Sequence, residues 1–191
     1  MHRLFVALRP PLAIREQLLD ISDGVAAARW QDDDQLHLTV RFIGAVERPV
    51  AEDVAAALAQ VVAPAPIVAL HGVGRFSNRG GDALWVGVSP HGALAHLHRK
   101  VDQACVRAGL EPERRAFLPH ITLARLPRSA AGDPEIARWI ADHAGVSSAP
   151  FTLGHLVLYE SHLGRGGATY EAVARWPLGH GAVTDEQAGG T

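Results

Sequence analysis

Cysteine is nearly absent from this sequence, which contains only Cys105 among its 191 residues. A single cysteine cannot form an internal disulfide, and no cluster of cysteines is present to hold a zinc ion. The sequence is therefore unlike that of a small secreted domain held together by disulfides. We expect a protein of the reducing cytoplasm.

Excess charge of either sign and long apolar runs are also missing. The 18 lysines and arginines face 20 aspartates and glutamates, whereas a long sequence-independent nucleic-acid surface carries a basic excess. The balanced charge does not exclude recognition of a single phosphate at the end of a nucleic acid.

No stretch approaches the roughly 20 apolar residues of a membrane helix, and the run Leu4–Leu8 is too short for a signal peptide. We expect a cytoplasmic monomer with no membrane partner.

The sequence does contain a repeated four-residue string. His37-Leu38-Thr39-Val40 and His120-Ile121-Thr122-Leu123 share one pattern of polar and apolar residues. Side chains alternate between the two faces of a strand, so His and Thr point one way and the apolar residues the other. One His-x-Thr is a weak signal, because any sheet can contain one. Two His-x-Thr strings with the same pattern of polar and apolar residues, far apart in one chain, indicate a site built from two matching halves.

The repeat extends to the elements around each string. A predicted strand ending in proline, a helix and a motif strand occur over residues 4–40 and again over residues 84–123. Similar units pack alike, so we predict two lobes related by a pseudo-twofold axis, each a sheet backed by helices. The motif strands would face each other across a central cleft. We predict one domain over residues 1–178 and a flexible, glycine-rich tail over residues 179–191.

Local patterns predict further boundaries. Periodic apolar residues indicate a first helix from Leu12 to about residues 26–28. Ser89 and Pro90 are suited to be the N-cap and first residue of a later helix. The triplet Asp32-Asp33-Asp34 is predicted to be a solvated turn, because nothing nearby completes an oxygen cage for a cation.

Two histidines on facing strands can supply acid–base catalysis. Imidazole titrates near pH 6.5, so one ring can be neutral while the other is protonated. In-line displacement at a phosphodiester needs a base on one side of phosphorus and an acid on the other, and threonine hydroxyls can donate to its non-bridging oxygens. Metal ligation is the less favoured interpretation, because neither string carries the carboxylate of a two-histidine, one-carboxylate site. The pattern leaves open which histidine is the acid.

Arginine is a further candidate, because a guanidinium matches phosphate oxygens. Four arginines surround the second string: Arg114, Arg115, Arg125 and Arg128. Strict alternation would put Arg41 on the face of His37, and would put Arg125 on the face opposite His120. A β-bulge could turn Arg125 back.

The two strings and their flanks resemble the paired motifs of the 2H phosphoesterases. The residues that carry the resemblance are His37–Gly44 and Phe117–Arg125, supported by Arg3–Leu8, Leu158–Ser161 and Gly166–Tyr170. The similarity extends over residues 3–178 and is greater to the RNA 2′,3′-cyclic phosphodiesterases, also called 2′-5′ RNA ligases. It implies a bilobal α+β fold in which two mainly antiparallel sheets line a V-shaped cleft, with no metal or other cofactor.

The resemblance also implies a role for each motif residue. His37 matches the proton donor and His120 the proton acceptor. Thr39, Thr122 and Arg125 match residues that contact the phosphate.

The activity implied by the resemblance is hydrolysis of a terminal 2′,3′-cyclic phosphate on RNA to a 2′-phosphomonoester. If the 5′-hydroxyl of another RNA replaces water, the same chemistry makes a 2′-5′ linkage without ATP. The expected partners are RNA ends with a cyclic phosphate, tRNA fragments among them. Two alternatives stay open: the same reaction on a small cyclic nucleotide or ADP-ribose cyclic phosphate, and a non-catalytic module that binds RNA ends.

Overall fold

The computed structural model describes residues 1–78, 81–164 and 167–179. Over these residues the α-helices are α1 (Leu12–Asp20), α2 (Arg48–Leu58), α3 (Gly92–Arg107) and α4 (Pro134–Asp142). The strands are β1 (His2–Leu8), β2 (Arg29–Trp30), β3 (Leu38–Val46), β4 (Ile67–Asn78), β5 (Gly81–Ser89), β6 (His120–Leu126), β7 (Phe151–Thr152), β8 (His155–Gly164) and β9 (Gly167–Pro177). Of the predicted tail, all but Gly179 lies outside the described residues. Within the described ranges, none of the helices has both the length and the apolar character needed to cross a bilayer.

The strands form one curled antiparallel sheet whose two halves correspond to each other. The spatial order is β7-β4-β5-β6-β3-β1-β8-β9, and β2 pairs with β6. The motif strands β3 and β6 are central neighbours that pair at Leu38 and Ile121. Outward from this centre, β1, β8 and β9 correspond to β5, β4 and β7. The order confirms the predicted α+β fold with two related halves. The motif strands pair side by side at the centre of the sheet, so the prediction that they face each other across a cleft is wrong.

Strand β1 separates two apolar layers. Leu4, Val6 and Leu8 point into the main core, to which all four helices contribute. Phe5 and Ala7 belong to a smaller cluster on the opposite face. On the helix side, α2 packs against β1, and α3 packs against α2 and β3. The helices therefore cover the face of Leu4, and we call the face of Phe5 and Ala7 the concave face.

Two helix boundaries differ from the prediction. Helix α1 ends at Asp20 with Ile21 as its C-cap. It does not continue to residues 26–28 because Gly24 has a φ of 82°, a left-handed conformation that an α-helix does not contain. Helix α3 begins at Gly92 and not at Pro90. Ser89 cannot cap the helix because it is the last residue of β5, where it pairs with Ala69.

The acidic triplet is an exposed turn as predicted, but two arginine side chains also hold it in place. Asp33–Gln35 form a 3₁₀ turn, and Arg9 donates from Nη2 to Asp33 Oδ2 at 2.7 Å and to Asp34 Oδ1 at 3.2 Å. Arg15 donates from Nε to Asp33 Oδ1 at 2.7 Å. This last hydrogen bond is the main reason that the pKa of Asp33 lies below its usual range. The sequence did not predict these contacts because Arg9, which follows β1, and Arg15 of α1 are distant from the triplet along the chain.

Strand β3 contains a β-bulge directly after its motif threonine. In the ladder with β1, Thr39 pairs with Ala7 and Arg41 pairs with Val6, so Val40 has no partner. An unpaired residue reverses the alternation of the strand beyond it.

Strand β6 contains a bulge at the same motif position. In the ladder with β5, Thr122 pairs with Trp85 and Ala124 pairs with Leu84, so Leu123 is the extra residue. The two motif strands therefore share their irregularity as well as their sequence pattern.

The bulge at Val40 overturns the prediction that Arg41 shares the face of His37. Arg41 turns into the core, where it is 5% exposed. It forms an ion pair with Asp102 of α3 and donates from Nη2 to the carbonyl oxygen of Glu111 at 2.5 Å. Arg41 is therefore a structural residue that ties β3 to α3.

We predict that Asp102→Ala lowers the free energy of unfolding by about 3 kcal/mol, because it leaves the buried Arg41 charge without its carboxylate. Urea denaturation followed by circular dichroism measures the change. The double variant Arg41→Met with Asp102→Leu should recover most of the loss, since apolar side chains can replace a buried ion pair. Arg48→Ala, which removes an exposed ion pair with Glu52, is the control and should be neutral. An Asp102→Ala variant as stable as the unaltered protein would contradict the structural role.

Candidate active site

The two motif histidines are held by the same local hydrogen bond. Nδ1 of His37 lies 2.7 Å from the carbonyl oxygen of Gln35, and Nδ1 of His120 lies 2.6 Å from that of Leu118. A carbonyl oxygen only accepts, so Nδ1 carries a proton and donates in both rings. Nε2 is then the ring nitrogen that can take up or release a proton.

The pairing of β3 with β6 brings the two histidines together at the centre of the sheet. His37 directly precedes β3, whereas His120 is the first residue of β6. Leu38 and Ile121, which pair with each other, are fully buried on the core side. Alternation places both histidines on the other side, and each ring is only partly exposed.

The motif threonines share this face with the histidines. Thr39 pairs with Ala7, which lies on the concave face. The antiparallel register places Thr39 beside His120, and places Thr122 beside His37. Among the described residues, neither threonine hydroxyl has a hydrogen-bond partner. Both hydroxyls can therefore donate to a bound group.

Arg125 lies on the concave face because of the bulge in β6. Leu123 and Ala124 are both fully buried, and Arg125, next along the strand, is exposed. Within the described part of the chain, its guanidinium makes no hydrogen bond or ion pair. The structure thus brings all five predicted residues to one face, and the bulge removes the difficulty that alternation raised for Arg125.

Both imidazoles are shifted toward the neutral form. Burial lowers the pKa of His37 to about 4, opposed by the hydrogen bond to Gln35, while the positive charges of Arg125 and His120 lower it further. Burial also lowers the pKa of His120, again opposed by its carbonyl hydrogen bond to Leu118 and assisted by Arg125. One unpaired arginine therefore acts on both histidines.

Aromatic rings account for much of this burial. The ring of Phe5 lies 4.9 Å from that of His37, and Tyr170 stands edge-on to His37 at 5.2 Å. In the other half, Phe76 stands edge-on to His120 at 4.8 Å. These rings lie on strands far from the motifs along the chain, so their contacts with the histidines could not be predicted from the motifs.

Phe42 is a residue of the concave face, beside Phe5, that the sequence reasoning missed although a signal was present. Phe42 and Arg125 are each the third residue after a motif threonine, so they occupy equivalent positions in the two halves. Phe42 pairs with Phe5 on the concave face and is 52% exposed. The guanidinium of Arg115 lies 5.6 Å from its ring centroid. The related halves thus differ here, with an aromatic ring in one and a cation in the other.

The other arginines near the second motif do not join the histidines. Arg115 is hydrogen-bonded to Glu113 at 2.9 Å, and Arg128 lies in an exposed 3₁₀ turn after β6. Across the described ranges, no three His, Cys, Asp or Glu side chains converge in a way that could hold a metal ion.

Comparison with known proteins assigns this arrangement to a family. Residues 10–165 match the model of the 2′-5′ RNA ligase superfamily. The chain belongs to this superfamily.

Two relatives are identical to this superfamily member at about a third of the aligned positions. An RNA 2′,3′-cyclic phosphodiesterase of Geobacillus stearothermophilus is 33% identical over 163 residues, which are 83% of this chain and 50% of that protein. One of Aeropyrum pernix is 30% identical over 144 residues, 74% of this chain and 81% of that protein. The chain thus spans about half the length of the first relative and most of the second.

A solved structure shows the same fold. The crystal structure of Escherichia coli LigT complexed with 3′-AMP matches with a TM-score of 0.75 and 28% identity, covering 93% of this chain and 98% of that one. The fold of this 2′-5′ RNA ligase superfamily member is therefore that of LigT.

The low pKa of His37 predicts a loss of stability in mild acid. Above pH 6.5 the ring is neutral in the folded and unfolded states. As the pH falls from about 6.5 to about 4, the unfolded chain takes up a proton that the folded protein excludes, so stability falls by at most about 3 kcal/mol. His37→Gln should remove this part of the pH dependence, measured by urea denaturation at a series of pH values. Identical pH dependence in the two proteins would show that His37 titrates normally.

Proposed function

We propose that this protein hydrolyses a terminal 2′,3′-cyclic phosphate on RNA to a 2′-phosphomonoester by two-histidine acid–base catalysis. The observation that carries the proposal is the convergence of two His-Thr pairs and an unpaired Arg125 on one face of the central strands. Two relatives, both named RNA 2′,3′-cyclic phosphodiesterases, support the same reaction.

In the proposed mechanism, the two histidines have different tasks. Nε2 of His120 takes a proton from water, and the water oxygen attacks the cyclic phosphorus. The bond from phosphorus to the 3′ oxygen breaks, and Nε2 of His37 delivers a proton to that oxygen. Thr39 and Thr122 donate to the non-bridging oxygens, and Arg125 balances their charge. The assignment of His37 as donor and His120 as acceptor rests on the family resemblance.

The proton on His37 must be supplied when substrate binds. With a pKa of about 4 in the free protein, His37 is neutral near pH 7. The cyclic phosphate is an anion, and its negative charge beside Arg125 cancels the repulsion that disfavours the imidazolium. Binding therefore raises the pKa of His37 and makes it a competent acid in the complex.

The same site can join RNA ends. If the 5′-hydroxyl of a second RNA replaces water, the displaced 3′ oxygen leaves and a 2′-5′ phosphodiester forms. The cyclic ester carries the activation, so the reaction needs no ATP and no metal ion. Water is far more abundant than RNA ends, so hydrolysis should dominate. The substrates that we propose are RNA ends with a cyclic phosphate, in the cytoplasm, where the buried free thiol of Cys105 stays reduced.

We predict that His37→Ala and His120→Ala each lower kcat for a 2′,3′-cyclic phosphate by about 10²–10⁴-fold, the contribution of a positioned acid or base. The measurement is steady-state hydrolysis of an RNA that ends in the cyclic phosphate. His96→Ala, on helix α3, is the matched control and should retain the original rate. If either motif variant turns over substrate at the unaltered rate, the proposed mechanism fails.

Arg125→Gln should move the pH profile as well as reduce the rate. Arg125 lowers the pKa of both histidines, so its removal raises both values and shifts the bell-shaped profile of kcat/KM to higher pH. Loss of a charged hydrogen bond to phosphate should also reduce the maximum at least about tenfold. The profile is measured from about pH 4 to about pH 9 in both proteins. A reduced maximum with no shift would show that Arg125 does not act on the histidines electrostatically.

A further inference from the structure

A groove continues from the His37 side of the site along the concave face. Its first part is a cavity of about 450 Å³. Tyr170 lines this cavity and also stands edge-on to His37 at 5.2 Å, so the cavity begins where the catalytic site ends. Its other lining residues include Arg9, His155, Tyr159 and Arg175.

The groove extends beyond this first cavity. A second cavity of about 470 Å³ shares Arg9, His155 and Arg175 with the first and is also lined by Arg15. We call the combined feature the arginine groove, defined by Arg9, His155 and Arg175. It leads away from the histidines past an aromatic segment and then a cationic one.

The sheet register places the cations on the concave face. Arg175 of β9 pairs with Val157 of β8, and directly opposite residues point to the same face. Val157 belongs to the concave cluster, as does Ala7, two residues before Arg9. His155 lies two residues before Val157 on β8. Strands β8 and β9 and the residue directly after β1 thus present polar side chains to one groove.

These side chains retain hydrogen-bond donors for a ligand. Arg175 is exposed, and its only hydrogen bond within the described residues joins Nη2 to Nδ1 of His155 at 3.1 Å. Arg175 must donate, so the neutral imidazole carries its own proton on Nε2 and can donate it. Arg9 uses only Nη2 for its hydrogen bonds to Asp33 and Asp34, which leaves Nη1 available.

Two carboxylates, Asp34 and Glu171, also line the first cavity and reduce its positive charge. Asp33 is shared between Arg9 and Arg15. The side chain of Asp34 is 89% exposed and that of Glu171, which contacts His162, is 74% exposed, so both are well screened by water. Arg175 has no carboxylate partner among the described residues.

The charges that act on the hydroxyl of Tyr159 are also more positive than negative. Burial is the main reason that the pKa of its hydroxyl is raised, and three positive charges oppose the shift: Arg9, Arg175 and Arg15. The negative charge of Asp34 acts less than any of them. At Tyr159, therefore, the effect of the positive charges outweighs that of Asp34.

We propose that the arginine groove binds the phosphodiester next to the reacting end of a single-stranded RNA. The proposal rests on the proposed function and adds that the enzyme is built for an RNA chain more than for a mononucleotide. Aromatic rings followed by cations suit a strand whose base stacks on the rings and whose backbone phosphate meets the guanidinium groups.

The test measures kcat/KM of the Arg175→Gln variant and of the unaltered protein for two substrates. One is a nucleoside 2′,3′-cyclic phosphate, and the other is an oligoribonucleotide that ends in the same cyclic nucleotide. We expect kcat/KM for the oligoribonucleotide to fall about tenfold, mainly through KM, with the mononucleotide unchanged. The salt dependence of log kcat/KM for the oligoribonucleotide should become shallower by about 0.7, the loss of one phosphate contact. Arg175→Lys should restore most of the salt dependence.

Controls separate the groove from the reaction itself. Arg107→Gln removes an exposed arginine at the end of α3 and should leave both substrates unaffected. An equal loss on both substrates, or no loss on either, overturns the groove proposal while the proposed function stands. If the unaltered protein hydrolyses neither substrate, the proposed function fails. In that case, fluorescence anisotropy measures the binding of an oligoribonucleotide that ends in a 2′-phosphate and tests the groove proposal separately. If Arg175→Gln does not weaken this binding, the groove proposal is overturned.

Discussion

The unpaired residue in each motif strand is the constraint on which the site depends. A regular strand would expose Arg41 beside His37 and bury Arg125. Because Val40 and Leu123 each take a position without a partner, both strands reverse their alternation after the motif threonine. One bulge sends Arg41 into the core, where it ties β3 to α3 through Asp102. The other brings Arg125 out beside the histidines. The same irregularity therefore serves stability in one half and, as we propose, phosphate binding in the other.

The electrostatics of the site follow from that placement. Two imidazoles are buried among aromatic rings and lie close to an arginine that has no carboxylate partner in the described residues. In the free protein this combination keeps both rings neutral and leaves positive charge unbalanced. We propose that an anion is the partner, because a bound phosphate would balance the charge of Arg125 and allow one imidazole to be protonated. The carbonyl hydrogen bonds of Gln35 and Leu118 fix which ring nitrogen takes part.

The sequence predicted those features that local patterns encode. The repeated order of strand, helix and motif strand predicted the related halves, and alternation placed His37, Thr39, His120 and Thr122 on one face. It misplaced Arg41, because a bulge depends on the partner strand, and pairing is not visible in one strand alone. The contacts of Phe5, Tyr170 and Phe76 with the histidines were out of reach for a related reason. Each joins residues distant along the chain, and only the strand order brings them together.

The central claim is that the motif histidines open a cyclic phosphate at the 3′ oxygen with water as nucleophile and without a metal ion. It is tested most directly by incubating the protein with EDTA in ¹⁸O-labelled water, together with an RNA that ends in a 2′,3′-cyclic phosphate. The position and isotope content of the product phosphate are then determined by mass spectrometry and by nuclease digestion. We predict a 2′-phosphomonoester that carries one ¹⁸O atom, formed at a rate that EDTA does not reduce. A 3′-phosphate product, or activity lost to EDTA and restored by a divalent cation, would contradict the account.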